Sequence, residues 1–202
     1  MPEKSGFYVA ACLSVLSIIA LPGFAQHQRY PTEAEIRRLS ATLPESIASL
    51  EGVGITDKRS KSEIETLNSF IRNWSQVNPT VAPFLGERTT WGTVMVIYPS
   101  NVRNRLCIIT LDWDEPDYID FTQAYVSNSQ IRTDAGSIII RDKAFLGVIY
   151  IQDNEAMLSA YHVPKPLKPI PQLLNGYPSA IKNRITQQFN AAGCTASRPA
   201  RR

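Results

Sequence analysis

Five carboxylates lie within nine positions near the middle of the chain, at Asp112, Asp114, Glu115, Asp117 and Asp120. A hard cation such as Ca²⁺ prefers oxygen ligands, and the candidate metal ligands are Asp112, Asp114 and Asp117. The spacing departs from an EF-hand loop, because no glycine occupies the sixth position. The alternative is a solvated turn between two strands, made rigid by Pro116. The cluster therefore predicts either a calcium site or an acidic hairpin loop, and no other cofactor is indicated.

Residues suited to nucleophilic catalysis are few. The two histidines are His27 and His162, and Cys107 with His162 is the one conceivable cysteine–histidine pair, which we do not expect to form. The sequence has no GxSxG, HExxH or CxxC motif and no glycine loop of the Walker or dinucleotide-binding type. A carboxylate pair drawn from Glu87, Asp112 and Asp134 stays open. We therefore expect a non-catalytic protein, with a hydrolase that uses carboxylates as the alternative.

Aromatic residues are concentrated on or beside the runs that predict strands. On a curved sheet, alternate aromatic side chains would line a concavity able to hold an apolar ligand. The candidate ligand-binding residues are Trp91, Tyr98, Trp113, Tyr125 and Tyr150. The alternative is that these rings fill the interface between helices and sheet.

The first 25 residues are typical of a cleaved signal peptide. Residues 7–21 form an apolar run that is shorter than the roughly 20 residues of a membrane-spanning helix. Gly23 and Ala25 place small residues where a peptidase cutting after Ala25 requires them. The alternative is a retained membrane anchor, because Glu3 cancels the charge of Lys4. We expect export to the periplasm or the medium, with no membrane span after cleavage.

Two cysteines remain after that cleavage, Cys107 and Cys194. In an oxidising compartment an even number of cysteines favours a disulfide, which here would tie the middle of the chain to its end. The alternative is that Cys107 is simply a small buried apolar residue in its strand.

Charge and length exclude some classes of protein. The sequence has 21 Lys and Arg residues against 18 Asp and Glu residues, a net charge of +3. The basic residues are scattered, whereas nucleic-acid binding needs a concentrated basic surface, so we expect no nucleic-acid partner. Residues 26–196 suit a single domain with a real core. The polar, basic tail at 197–202 is predicted to be flexible.

Helices are predicted before and after the central part of the chain. Thr32 and Glu35 form a capping box that opens a first helix, Pro44 interrupts it, and a shorter helix follows. Ser60 and Glu63 open a stronger helix, whose apolar stripe consists of Ile64, Leu67, Phe70, Ile71 and Trp74. A last helix begins near Pro178, and Gly193 can close it in a left-handed conformation.

The central part of the chain predicts strands. Short runs rich in Val, Ile, Tyr and Phe lie at 93–98, 106–111, 118–126, 137–141, 145–151 and 155–161. Strands this close cannot be joined by crossover helices, so they must pair antiparallel in a meander. Four prolines within residues 164–171 then predict an extended segment that cannot join a central strand.

The predicted fold is therefore α+β: an antiparallel meander of about six strands packed against N-terminal and C-terminal helices, which cover one face of the sheet. A closed or half-closed barrel is the alternative. The predicted function is an exported binding module for a small apolar ligand or an envelope protein. A structural or assembly partner in the cell envelope is the further alternative, which would be marked by a large exposed apolar patch.

Two segments and one cysteine resemble parts of uncharacterised secreted proteins from cyanobacteria. They are the run Phe-Asn-Ala-Ala-Gly-Cys-Thr-Ala-Ser at 189–197, the run Val-Ile-Tyr-Pro-Ser at 96–100, and the downstream Cys107. The resemblance covers most of the mature chain. It implies an envelope or periplasmic location, brings no activity with it, and transfers no functional residue.

Overall fold

The computed structural model describes residues 29–113, 115 and 118–199, so the predicted signal peptide lies outside the described residues. The α-helices of this part are α1 (Glu33–Gly52), α2 (Lys61–Val77), α3 (Ile170–Leu173) and α4 (Ser179–Ala191). Its strands are β1 (Gly86–Thr89), β2 (Thr93–Pro99), β3 (Arg105–Asp112), β4 (Ile119–Ser127), β5 (Gln130–Thr133), β6 (Ile138–Asp142), β7 (Phe145–Gln152) and β8 (Glu155–Tyr161). The predicted α+β class is confirmed. Within these residues no helix is both long enough and apolar enough to cross a membrane.

Helix α1 begins at the predicted capping box. Thr32 Oγ1 accepts from Glu35 N, and the Glu35 carboxylate accepts from Thr32 N at 2.7 Å. The prediction that Pro44 divides this segment is wrong, because α1 continues through it. An interior proline costs about 3 kcal/mol, whereas each buried Leu or Ile contributes about 1.5–3 kcal/mol. The buried stripe that continues across the proline consists of Ile36, Leu39, Leu43, Ile47 and Leu50.

The strands pair in sequence order, and every neighbouring pair is antiparallel. The predicted meander is confirmed, but the described part of the chain has eight strands instead of about six. The six predicted runs correspond to β2–β4 and β6–β8. Strands β1 and β5 escape prediction because their sequences, Gly-Glu-Arg-Thr and Gln-Ile-Arg-Thr, each contain at most one large apolar residue.

The sheet curls into a half-barrel, and its first strand meets the segment that follows β8. We call this segment, residues 162–169, the strap. Thr89 O accepts from His162 N at 2.9 Å, while Glu87 and Lys165 exchange backbone hydrogen bonds of 3.0 and 2.7 Å. Gly86 permits this close approach: its φ is +131°, and a Cβ there would lie 2.6 Å from a side-chain atom of the strap. The predicted extended segment, residues 164–171, ends earlier than expected, because α3 begins at Ile170.

Helices cover both faces of the sheet, so the prediction that they cover one face is wrong. Phe70 and Trp74 of α2 pack inside the curve with Ile139 of β6. Ile138 and Ile140 of the same strand pack against α1 on the outer face. Helix α4 covers another part of the outer face, over β2–β4. Successive strand residues point to opposite faces, so strands that are apolar at every position need cover on both sides.

A disulfide joins Cys107 of β3 to Cys194, as predicted, with a Cα–Cα distance of 6.1 Å. Gly193 has a φ of +66° and follows the end of α4, as expected for a left-handed helix end. At the start of the predicted tail, Ser197 O accepts from Trp74 Nε1 at 3.1 Å. The end of α4 is thus bound covalently to the sheet, and a disulfide of this kind is compatible with an oxidising, exported location.

Candidate functional site

A cleft of about 630 Å³ opens where the half-barrel is closed by the strap. Its walls are the α1–α2 loop (residues 54–59), the β1–β2 hairpin, the strap, and Trp113 beyond the end of β3. Binding sites for small molecules usually have volumes of about 300–1,000 Å³. This cleft, which we call the strap cleft, is therefore large enough for a small organic ligand.

Two tryptophans that line the strap cleft are largely in solvent. Trp91 is 72% exposed and Trp113 is 60% exposed. Trp91 lies in the β1–β2 turn, in which Gly92 has a φ of +77°, and Gly92 O accepts from Trp113 N at 2.7 Å. That backbone bond holds the two tryptophan-bearing segments together while both indoles stay accessible. Large aromatic side chains normally stabilise a fold by burial, so exposed ones beside a cleft indicate a binding surface.

Glu87 lines the strap cleft but is only 6% exposed. Lys168 Nζ donates to Glu87 Oε1 at 3.3 Å and lies 3.0 Å from Oε2. The ammonium group of Lys168 thus contacts both carboxylate oxygens, and Oε2 is shielded from solvent. This ion pair fixes Lys168 of the strap against β1.

His162 is a second buried polar side chain that lines the cleft, with 5% of the residue exposed. Its ring packs edge-on against Phe145, with the ring centres 5.4 Å apart. Burial lowers the pKa of His162 below its usual value, because burial penalises the charged form. Its ring nitrogens have no hydrogen-bond partner within the part of the chain that the structure describes. The neutral imidazole thus offers the cleft one donor and one acceptor.

A charged pair fixes the loop that forms one wall of the cleft. Arg59 Nε and Nη2 donate to the two oxygens of Asp57 at 2.8 and 2.7 Å. These hydrogen bonds lower the pKa of Asp57 to about 2. Arg59 Nη1 also donates to Pro164 O at 2.8 Å. The loop is therefore attached to the strap, so the two walls keep their separation.

The lining of the cleft carries a net positive charge. Each of its two carboxylates already has a cationic partner, Arg59 for Asp57 and Lys168 for Glu87. Lys58 also lines the cleft, as does Lys165 of the strap. Neither of these lysines has a carboxylate within ion-pair distance among the described residues. The arrangement favours ligands that carry a negative group.

The structure brings together two of the five predicted aromatic residues. Trp91 and Trp113 line the strap cleft. Tyr98 is fully buried, packs edge-on against Phe189, and donates through its hydroxyl to Lys168 O at 2.7 Å, so it supports the strap from behind. Burial raises the pKa of Tyr98 above its usual value. The other two lie outside the lining of the cleft, on β4 and β7, at Tyr125 and Tyr150.

The predicted calcium ligands fall partly outside the described residues. Asp112 ends β3, and its Oδ1 accepts from Glu115 N at 3.3 Å, as in a tight turn. Asp114 and Asp117 lie outside the described residues. Within residues 29–113, 115 and 118–199, no group of three metal-ligating side chains converges. The calcium site stays a prediction.

Sequence reasoning placed Glu87 among three candidate carboxylates without a reason to prefer it. The structure separates the three: Glu87 lines the strap cleft, whereas Asp112 and Asp134 lie outside its lining. Sequence reasoning missed Lys168 and the loop pair of Asp57 and Arg59. Their partners lie far away along the chain or depend on loop geometry, and no local pattern signals such contacts.

Comparisons of the chain with protein-family profiles, with curated proteins and with solved structures found no match. The geometry and charge of the strap cleft therefore carry the functional argument.

Proposed function

We propose that the protein is an exported, non-catalytic module that binds a small ligand in the strap cleft. The observation that carries the proposal is the pair of exposed tryptophans, Trp91 and Trp113, beside a preformed cleft of about 630 Å³. Ligand sites combine apolar and aromatic walls with a few fixed polar groups. His162 and the ion pair of Glu87 and Lys168 supply those polar groups here.

Two features support export. Residues 7–21 have the length and composition of a signal-peptide core. The disulfide between Cys107 and Cys194 is the form that cysteines take in an oxidising compartment.

One observation favours a hydrolase as the second candidate, because two carboxylates, Asp57 and Glu87, line the same cleft. General-base catalysis at neutral pH works best with a pKa near the working pH. The pKa of Asp57, at about 2, lies far below that range. Glu87 is paired with Lys168. A binding role therefore accounts better for these groups than acid–base catalysis does.

Native mass spectrometry of protein purified from its own host tests the proposal. We expect a mature chain that begins at Gln26, contains one disulfide and retains a small bound mass. Trp91→Ala and Trp113→Ala should each lose that mass, since each removes a wall of the cleft. Tyr125→Ala is the matched control, because Tyr125 is an exposed aromatic residue (43%) that does not line the cleft.

Three results would count against the proposal. Retention of the bound mass by both tryptophan variants would place the ligand elsewhere. Equal loss in the Tyr125→Ala control would indicate a general effect of the substitutions. Protein recovered with Met1 attached and both cysteines free would refute export.

A further inference from the structure

We infer that the ligand of the strap cleft is an acidic saccharide, a sugar unit that carries a carboxylate. This inference rests on the proposed function and names the class of ligand. Three groups of atoms carry it: the exposed indoles, the ring nitrogens of His162, and the two lysines that form no ion pair among the described residues.

The indoles require a ligand with an apolar face. Trp91 and Trp113 present flat rings to solvent at the cleft, with 72% and 60% of each residue exposed. Aromatic faces carry partial negative charge and attract weakly positive hydrogens. A pyranose ring has axial C–H groups on its faces and hydroxyl groups around its edge. It can therefore stack on an indole while its polar edge turns toward the floor of the cleft.

The floor requires a ligand with hydrogen-bond donors. His162 lines the cleft, and its ring nitrogens have no hydrogen-bond partner among the described residues. The neutral imidazole can donate to one sugar hydroxyl and accept from another. An unsubstituted aromatic ring would leave these ring nitrogens unsatisfied.

The rim requires a negative charge on the ligand. Lys58 and Lys165 line the cleft, and neither is paired with a carboxylate of the described residues. Lys168 and Arg59 are already matched by Glu87 and Asp57. The surplus charge repels cationic ligands and attracts a carboxylate. A uronic acid unit combines the apolar face, the hydroxyl edge and the carboxylate in one ring.

Titration of the mature protein with trigalacturonate tests this inference, with tryptophan fluorescence as the readout. The matched ligand is the fully methyl-esterified trisaccharide, which has the same ring and hydroxyl pattern without the charge. We expect trigalacturonate to bind more tightly than its ester and to lose affinity as salt rises. A third probe, 4-hydroxybenzoate, supplies an aromatic acid without a sugar ring.

Two variants separate the contributions of charge and hydrogen bonding. Lys165→Gln should weaken trigalacturonate about tenfold and the ester less than about twofold, because only the charged contact is lost. His162→Phe should weaken both saccharides about tenfold, because both lose a hydrogen bond to the imidazole. Lys143→Gln, on the β6–β7 turn, is the control lysine and should change neither affinity. The circular-dichroism midpoint of unfolding is measured for each variant, and Lys165→Gln, at a partly exposed site, keeps the test valid if His162→Phe does not fold.

The outcomes distinguish the two proposals. Equal binding of trigalacturonate and its ester would refute the acidic part of the inference. Binding of 4-hydroxybenzoate but of neither saccharide would refute the saccharide while the proposed function stands. If no probe binds and native mass spectrometry finds no retained mass, both proposals fail.

Discussion

Removal of the disulfide between Cys107 and Cys194 should lower the free energy of unfolding by an amount that follows from the position of the bond. The two cysteines are 87 residues apart in the sequence. In the chain-entropy treatment, a cross-link that closes a loop of this length restricts the unfolded chain by about 4–5 kcal/mol at 25 °C. Total stabilities of single domains are only about 5–15 kcal/mol. The bond therefore accounts for a large share of the stability that we expect.

The folded state should survive the loss of this bond, because other contacts hold the same end of α4 to the sheet. Asn101 N donates to Gly193 O at 2.8 Å, and Thr195 N donates to Pro99 O at 3.0 Å. Each such hydrogen bond contributes about 0.5–1.5 kcal/mol net. The effect of removing the disulfide should therefore come mainly from the unfolded chain, which gains freedom.

Urea unfolding of the double variant Cys107→Ala/Cys194→Ala, compared with the oxidised wild type, measures this effect. We expect the free energy of unfolding to fall by about 3–5 kcal/mol. The dependence on urea should become steeper, because an unlinked chain exposes more surface when it unfolds. A reductant should destabilise the wild type and leave the variant unchanged. An unaltered midpoint and slope, in wild type verified as oxidised, would refute the entropic argument.

Two other predictions concern single residues. The folded pKa of His162 lies below the unfolded value of about 6.5, so the unfolded chain takes up the proton first as pH falls. The stabilisation from the neutral His162 should therefore be fully present above about pH 7 and decline as pH falls through about 6.5 toward the folded pKa. Urea titrations between about pH 7 and pH 5 should show a smaller decline in the free energy of unfolding for His162→Gln than for the wild type. Equal declines would contradict the role given to His162. Gly193→Ala places a methyl group against the Asn101 side chain at a φ of +66°, whereas Gly176→Ala has a φ of +92° but meets nothing within 4 Å. We expect a loss of about 1 kcal/mol for each substitution, because the exposed Asn101 side chain can rotate away from the added methyl group. A much larger loss for Gly193→Ala in thermal unfolding would show that this side chain cannot move.

Local signals in the sequence predicted the local parts of the fold. The capping boxes at Thr32 and Ser60 need only residues three positions apart, and both helices begin where these boxes predict. The antiparallel pairing follows from the short separators between strands, since crossover connections need more residues. One such separator, Asn128 and Ser129, has φ values of 51° and 60°, as in a tight hairpin turn.

Strand β1 and the closure of the half-barrel depend on long-range contacts that no local pattern contains. Arg88 of β1 is fully buried, and its Nη1 donates to Ala144 O and to His162 O, the latter at 3.2 Å. Burial lowers the pKa of Arg88 to about 9. A charged residue in a run of only four residues is typical of an exposed loop, because Arg is rarely buried. Its burial is explained only by acceptors that lie more than fifty positions away in the sequence.

The candidate site, like the fold, could be predicted from the sequence only in part. The pattern of aromatic residues near strand ends selected Trp91 and Trp113, which line the cleft. The same pattern also selected three tyrosines, which lie behind the cleft or outside it. The bond from Trp113 N to Gly92 O, which brings the two tryptophans to one cleft, depends on the register between β2 and β3. A shift of one residue in that register would turn these side chains to the other face.

The strap cleft and the closure of the half-barrel depend on the same residues. Glu87 and Lys165 pair through their backbones to join β1 to the strap, and their side chains line the cleft. His162 likewise donates its backbone N–H to Thr89 while its ring lines the cleft. Without the strap, β1 would be an exposed edge strand with unpaired backbone groups, and the wall opposite the hairpin would be missing. The strap therefore protects the sheet edge and forms the site at once, so the cleft exists only in the closed half-barrel.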